Sequence, residues 1–144
     1  MKRKTAEELY DCWVTGDAFS AGRAIFEPLT PAQQVDRAAD VLAACVARLP
    51  APEAVMKVLE LARDPSHWHE AHDAFSAVRN LTLEEERTPS DSAYGAMLFV
   101  AENAAKAIYS ASGRSAPFDH DAPWWIAPCA RAFVQAVGEI ACER

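Results

Sequence analysis

Three times in its first half the chain places proline at the head of an alanine-rich or apolar window: at Thr30-Pro31, at Pro52-Glu53 and at Asp64-Pro65. Proline suits the first turn of a helix, because the N–H it lacks has no partner there and its fixed φ is already helical. In a sheet interior the same residue would remove a ladder bond. Of the 144 residues, 30 are alanine and only five are glycine, while β-branched residues are scarce. These proportions argue strongly for helices and against a sandwich or barrel.

The local signals mark out the elements. Thr5-Ala6-Glu7-Glu8 reads as a capping box opening a helix to about Val14, with Leu9, Cys12 and Trp13 on one face. A second segment runs from Ala18 to Phe26 and stops at Pro28. Thr30 caps a helix to about Arg48, on which Val35, Ala38, Ala39, Leu42, Ala43 and Val46 keep helical spacing. Glu53 to Arg63 follows, faced by Val55, Val58, Leu59 and Ala62. Asp64-Pro65 opens a helix to about Asn80 that carries Phe75 toward the core, and Leu81 to Pro89 reads as a polar connection with an acidic run and room for a short helix, Thr82 preceding Glu85 by three. Ser90 or Asp91 caps a long helix to about Ala111, on which Tyr94, Met97, Leu98, Ala101, Ala104, Ala105, Ile108 and Tyr109 mark a continuous stripe, with Gly113 placed for a left-handed terminus. After a loop, Pro123-Trp124-Trp125 lead into a last helix to about Cys142, faced by Ile126, Phe133, Val134 and Val137. The chain is therefore expected to be all-α, a single domain over residues 1–144. Its architecture should be a compact bundle of six to seven helices joined by short loops.

The formal charge is −7 and no basic stripe is present, which argues against nucleic acid as a partner and favours a basic protein. No run of some 18 apolar residues exists to span a membrane. The basic start Met1-Lys2-Arg3-Lys4 has no apolar run behind it, so a cytoplasmic protein with reduced thiols is expected. The four cysteines show no Cys-x-x-Cys spacing, and Cys45 reads as a small buried apolar residue.

Two clusters carry the functional expectations. Phe118, Asp119, His120, Asp121, Trp124 and Trp125 gather aromatic and acidic side chains in one loop and helix start. Loops of this composition form binding surfaces. Adjacent tryptophans on a helix differ by about 100° in direction, so one packs inward and the other lies at the surface. In the second cluster, a continuous helix puts His69, His72 and Asp73 on one face, a set that with His120 would suit Zn²⁺ or Fe²⁺. No glycine-rich phosphate loop, nucleophile elbow or His-Glu-x-x-His motif occurs, so no catalytic residue is assigned.

The preferred expectation is a non-enzymatic protein-binding module without a cofactor, acting through an acidic surface and the aromatic loop. A toxin-neutralising, immunity-type protein is one concrete version, since it needs only a stable fold and a complementary acidic face. The alternative is a metal-binding protein or metal-dependent enzyme using the His/Asp cluster.

Overall fold

In the computed structural model, residues 18–88, 92–113 and 122–142 are described. They form six α-helices: α1 (Ala18–Phe26), α2 (Pro31–Val46), α3 (Glu53–Ala62), α4 (Ala71–Arg87), α5 (Ser92–Ala111) and α6 (Ile126–Cys142). Two 3₁₀ turns, Pro65–Glu70 and Ala122–Trp125, precede α4 and α6. No strand occurs among the described residues, and the fold is an all-α bundle. The expected first helix, over residues 5–14, lies outside the described residues.

The start of α2 shows why the local signals work. Thr30 Oγ1 accepts from the Gln33 N–H at 3.2 Å, and Gln33 Oε1 accepts from the Thr30 N–H at 3.0 Å. Two donors without helical partners are thus satisfied reciprocally, behind a proline that needs none. Gln34 Nε2 reaches back to the Phe26 carbonyl at 2.9 Å and ties α2 to the end of α1.

The bundle is organised around α5, which packs against α2, α3, α4 and α6 and meets both 3₁₀ turns. Ala93, Met97, Leu98, Val100, Ala101, Ala104, Ala105 and Ile108 are all buried, which takes in nearly every side of that helix. Such a helix is apolar all round rather than striped, and its alanines let four neighbours approach. Glu102 and Asn103 are buried with them. Asn103 Nδ2 donates to the Phe99 carbonyl at 2.9 Å, and Arg79 of α4 donates to Glu102 Oε1 at 3.3 Å. Leu42, Val58, Leu98, Ala101, Ile108 and Phe133 occupy the core as their helical spacing requires.

Two expectations are corrected. Leu81 to Arg87 is helical throughout and continues α4 without a break, whereas the polar composition reads as a connection with at most a short helix of its own. Leucine and glutamate are good helix formers, and an exposed helix face is polar without being a loop. The inward side of this stretch holds Leu81 and buried Thr82, whose Oγ1 donates to the Val78 carbonyl at 3.1 Å. The helix ends at Thr88, the residue before Pro89, where proline disfavours helical ψ. Phe75, expected in the core, is half-buried, with the Lys106 ammonium 5.6 Å from its ring centre.

Candidate protein-binding surface

The segment around the histidines is not one continuous helix. Pro65–Glu70 winds as a 3₁₀ turn and α4 begins at Ala71. The break falls between His69 and the pair His72 and Asp73, so the expected i, i+3, i+4 register across all three does not form. Trp68 anchors the turn, its Nε1 donating to the Leu61 carbonyl at 3.0 Å. His69 stacks on His67 with ring centres 6.1 Å apart, whereas His72 tilts against Tyr109 of α5 at 6.0 Å. Among the described residues no three His, Cys, Asp or Glu side chains converge as metal ligands. His120, the fourth residue of that set, lies outside them.

The same turn brings Asp64, Ser66 and His67 together. Ser66 Oγ donates to Asp64 Oδ1 at 2.6 Å, and His67 Nδ1 stands 2.6 Å from Asp64 Oδ2 and 3.1 Å from Ser66 Oγ. The Ser66 hydrogen bond, and then His67, hold the Asp64 carboxyl below its ordinary pKa. A nucleophilic relay needs the carboxylate on one imidazole nitrogen and the serine on the other. Here both contacts fall on Nδ1 and the serine proton is directed at the carboxylate. The trio closes a turn and does not activate Ser66.

At the start of α6, the two tryptophans part as their spacing requires. Trp124 is half-buried against the core, with the Arg23 guanidinium 5.3 Å from its ring centre. Trp125 is 48% exposed. Phe118, Asp119, His120 and Asp121, the rest of the expected binding loop, lie outside the described residues. Cys129, in the first turn of α6, does not show the lowered pKa that a helix N-terminus gives an exposed thiol. Burial first, and then the charge of Glu102, push it up to about 12.

Sequence reasoning missed a groove between α3 and α4. Its first hollow is lined by Glu53, Ala54, Met56, Lys57, Glu60 and Ala77. A second, lined by Glu70, Asp73 and Ala74 as well as Ala54, Lys57 and Ala77, adjoins it on the α4 side. A third, at the end of α3, is bounded by Lys57, Glu60, Leu61, Asp64 and His67. Five carboxylates thus surround an alanine floor that contains one lysine, and Met56 is 45% exposed at the rim. Glu53, Lys57 and Glu60 share the outer face of α3 at i, i+4 and i+7. That spacing was readable, but the partner helix that turns a face into a groove was not.

No protein-family model, curated protein or solved structure compared with this chain matches it. No helix among the described residues is long and apolar enough to cross a membrane.

Proposed function

We propose that this chain is a non-enzymatic binding module for a basic protein partner, with a toxin-neutralising, immunity-type protein as its most concrete form. The observation that carries the reading is the α3–α4 groove, whose carboxylates Glu53, Glu60, Asp64, Glu70 and Asp73 surround a floor of small apolar side chains. A concave surface on which one sign of charge predominates focuses its field and steers an oppositely charged partner to it. The apolar floor and Met56 give that partner's aliphatic stems something to cover. Exposed Trp125 belongs to the same reading as a second contact, aromatic residues being enriched in interfaces.

The test is affinity capture from the native host with the wild-type chain and an E53K/E60K/D73K variant. All three positions are exposed, so the variant should fold. The expected result is a basic protein held by the wild type, released by raised salt and lost from the variant. A partner held equally by both chains, or one of acidic charge, would overturn the reading.

A further inference from the structure

Resting on that reading, we infer that Lys57 sets the register of the bound partner. The partner's contact segment then carries basic side chains toward both ends and an acidic one at its middle.

Lys57 lines all three hollows of the groove, so it stands at their junction. Carboxylates lie to every side of it: Glu53 one turn before it and Glu60 one turn after it on α3, Asp64 beyond the helix end, and Glu70 with Asp73 on the facing wall. Along α3, from Glu53 to Ala62, the groove runs roughly 15 Å at about 1.5 Å per residue, the length of a 10-residue helical segment, with Asp64 just beyond. A uniformly basic segment along it would set one of its charges against Lys57, and like charges repel. A segment with a carboxylate at that point satisfies Lys57 while its flanking lysines or arginines meet the rim. Ala54, Ala74 and Ala77 line the groove with small apolar side chains along which the stems of those side chains can lie. An acidic groove without a central lysine would select for charge alone. With Lys57 it selects for a pattern, and attraction at the right register is coupled to repulsion at the wrong one.

The test uses the full chain and three labelled, alanine-based helical peptides that differ in the charges on one face: basic–acidic–basic, basic throughout, and acidic–basic–acidic. Binding is followed by fluorescence anisotropy at low and physiological salt. The basic–acidic–basic peptide should bind about threefold to fivefold tighter than the wholly basic one despite its lower charge, the size expected of an exposed charge pair. Lys57→Glu should invert that order and Lys57→Ala should abolish it. Position 57 is exposed, and circular dichroism checks that both variants keep the fold. Ala77→Trp, also at an exposed position, should block every peptide by filling the groove.

If the two basic peptides bind equally, and the E53K/E60K/D73K variant loses both, the binding reading stands and the register inference fails. If no peptide binds, or that variant binds them all unchanged, both fall. A preference that survives Lys57→Glu also overturns the inference.

Discussion

Gly22 of α1 lies so close to Trp124 that a Cβ at position 22 would stand 2.5 Å from the Trp124 carbonyl oxygen and 2.6 Å from the Ala127 Cβ. The first of these is backbone, which cannot rotate aside. Glycine here is a packing requirement: it lets α1 dock on the turn that opens α6, next to the contact of Arg23 with the Trp124 ring.

Gly22→Ala should therefore destabilise the fold by about 1–3 kcal/mol, the usual penalty for overpacking. Gly95, inside α5, is the control. A Cβ there meets nothing nearer than Glu85 Cγ at 3.8 Å, so Gly95→Ala should stabilise by about 0.4–1 kcal/mol. Chemical denaturation of the two variants checks the pair. Equal shifts of one sign would contradict the close approach at Gly22.

Core truncation should separate buried from half-buried positions. Leu42 and Phe133 have 0% and 1% of their surface exposed, and replacing either by alanine should cost about 2–5 kcal/mol. Phe75→Ala should cost less than Phe133→Ala, because part of that ring already meets solvent. Unfolding midpoints rank the three.

Thiol chemistry gives a third check. Burial raises the pKa of both Cys45 and Cys129 to about 12, so neither should alkylate at pH 8 in the native state, and both should once unfolded. Peptide mapping after iodoacetamide reads this directly. The linkage sign follows. Between about pH 9, where an exposed thiol ionises, and about pH 12, the unfolded chain has released protons that the native state retains. The stability conferred by the buried thiols is complete below that window and is lost as pH rises through it.

Asp64 behaves in the opposite sense. Its carboxyl titrates below the ordinary range because Ser66 and His67 favour the charged form. The stability it contributes is present above the unfolded pKa and is lost as pH falls through the folded one. Ser66→Ala removes the larger influence, so the Asp64 midpoint followed by NMR should move up. An unchanged midpoint would show that the Ser66 hydrogen bond does not form in solution.

The helices were legible because their signals act within one turn. Thr30, Pro31 and Gln33 define the start of α2 from adjacent residues alone, and Gly113, with φ of 78°, takes the left-handed conformation that its place after α5 calls for. The spacing of Leu42, Val58, Ile108 and Phe133 marked them for burial for the same reason, since a helix fixes which residues share a face. The candidate site was legible only in fragments. The parting of Trp124 from Trp125 follows from helical geometry, whereas the face expected of His69, His72 and Asp73 depended on a continuous helix that the 3₁₀ turn interrupts.

What the tertiary structure decided was which faces meet. The all-round apolar composition of α5 marks it for burial, but no local pattern names the helices that surround it, so the burial of Glu102 and Asn103 among its alanines, and of Arg37 on α2, could not be read from their polarity. Nor does any local pattern pair α3 with α4. Glu53, Lys57 and Glu60 are an ordinary solvated helix face until Glu70, Asp73 and Ala77 are brought opposite them. Periodicity is a property of one helix and is written in its own residues. A groove is a property of two, and its walls are set by the packing of the whole bundle.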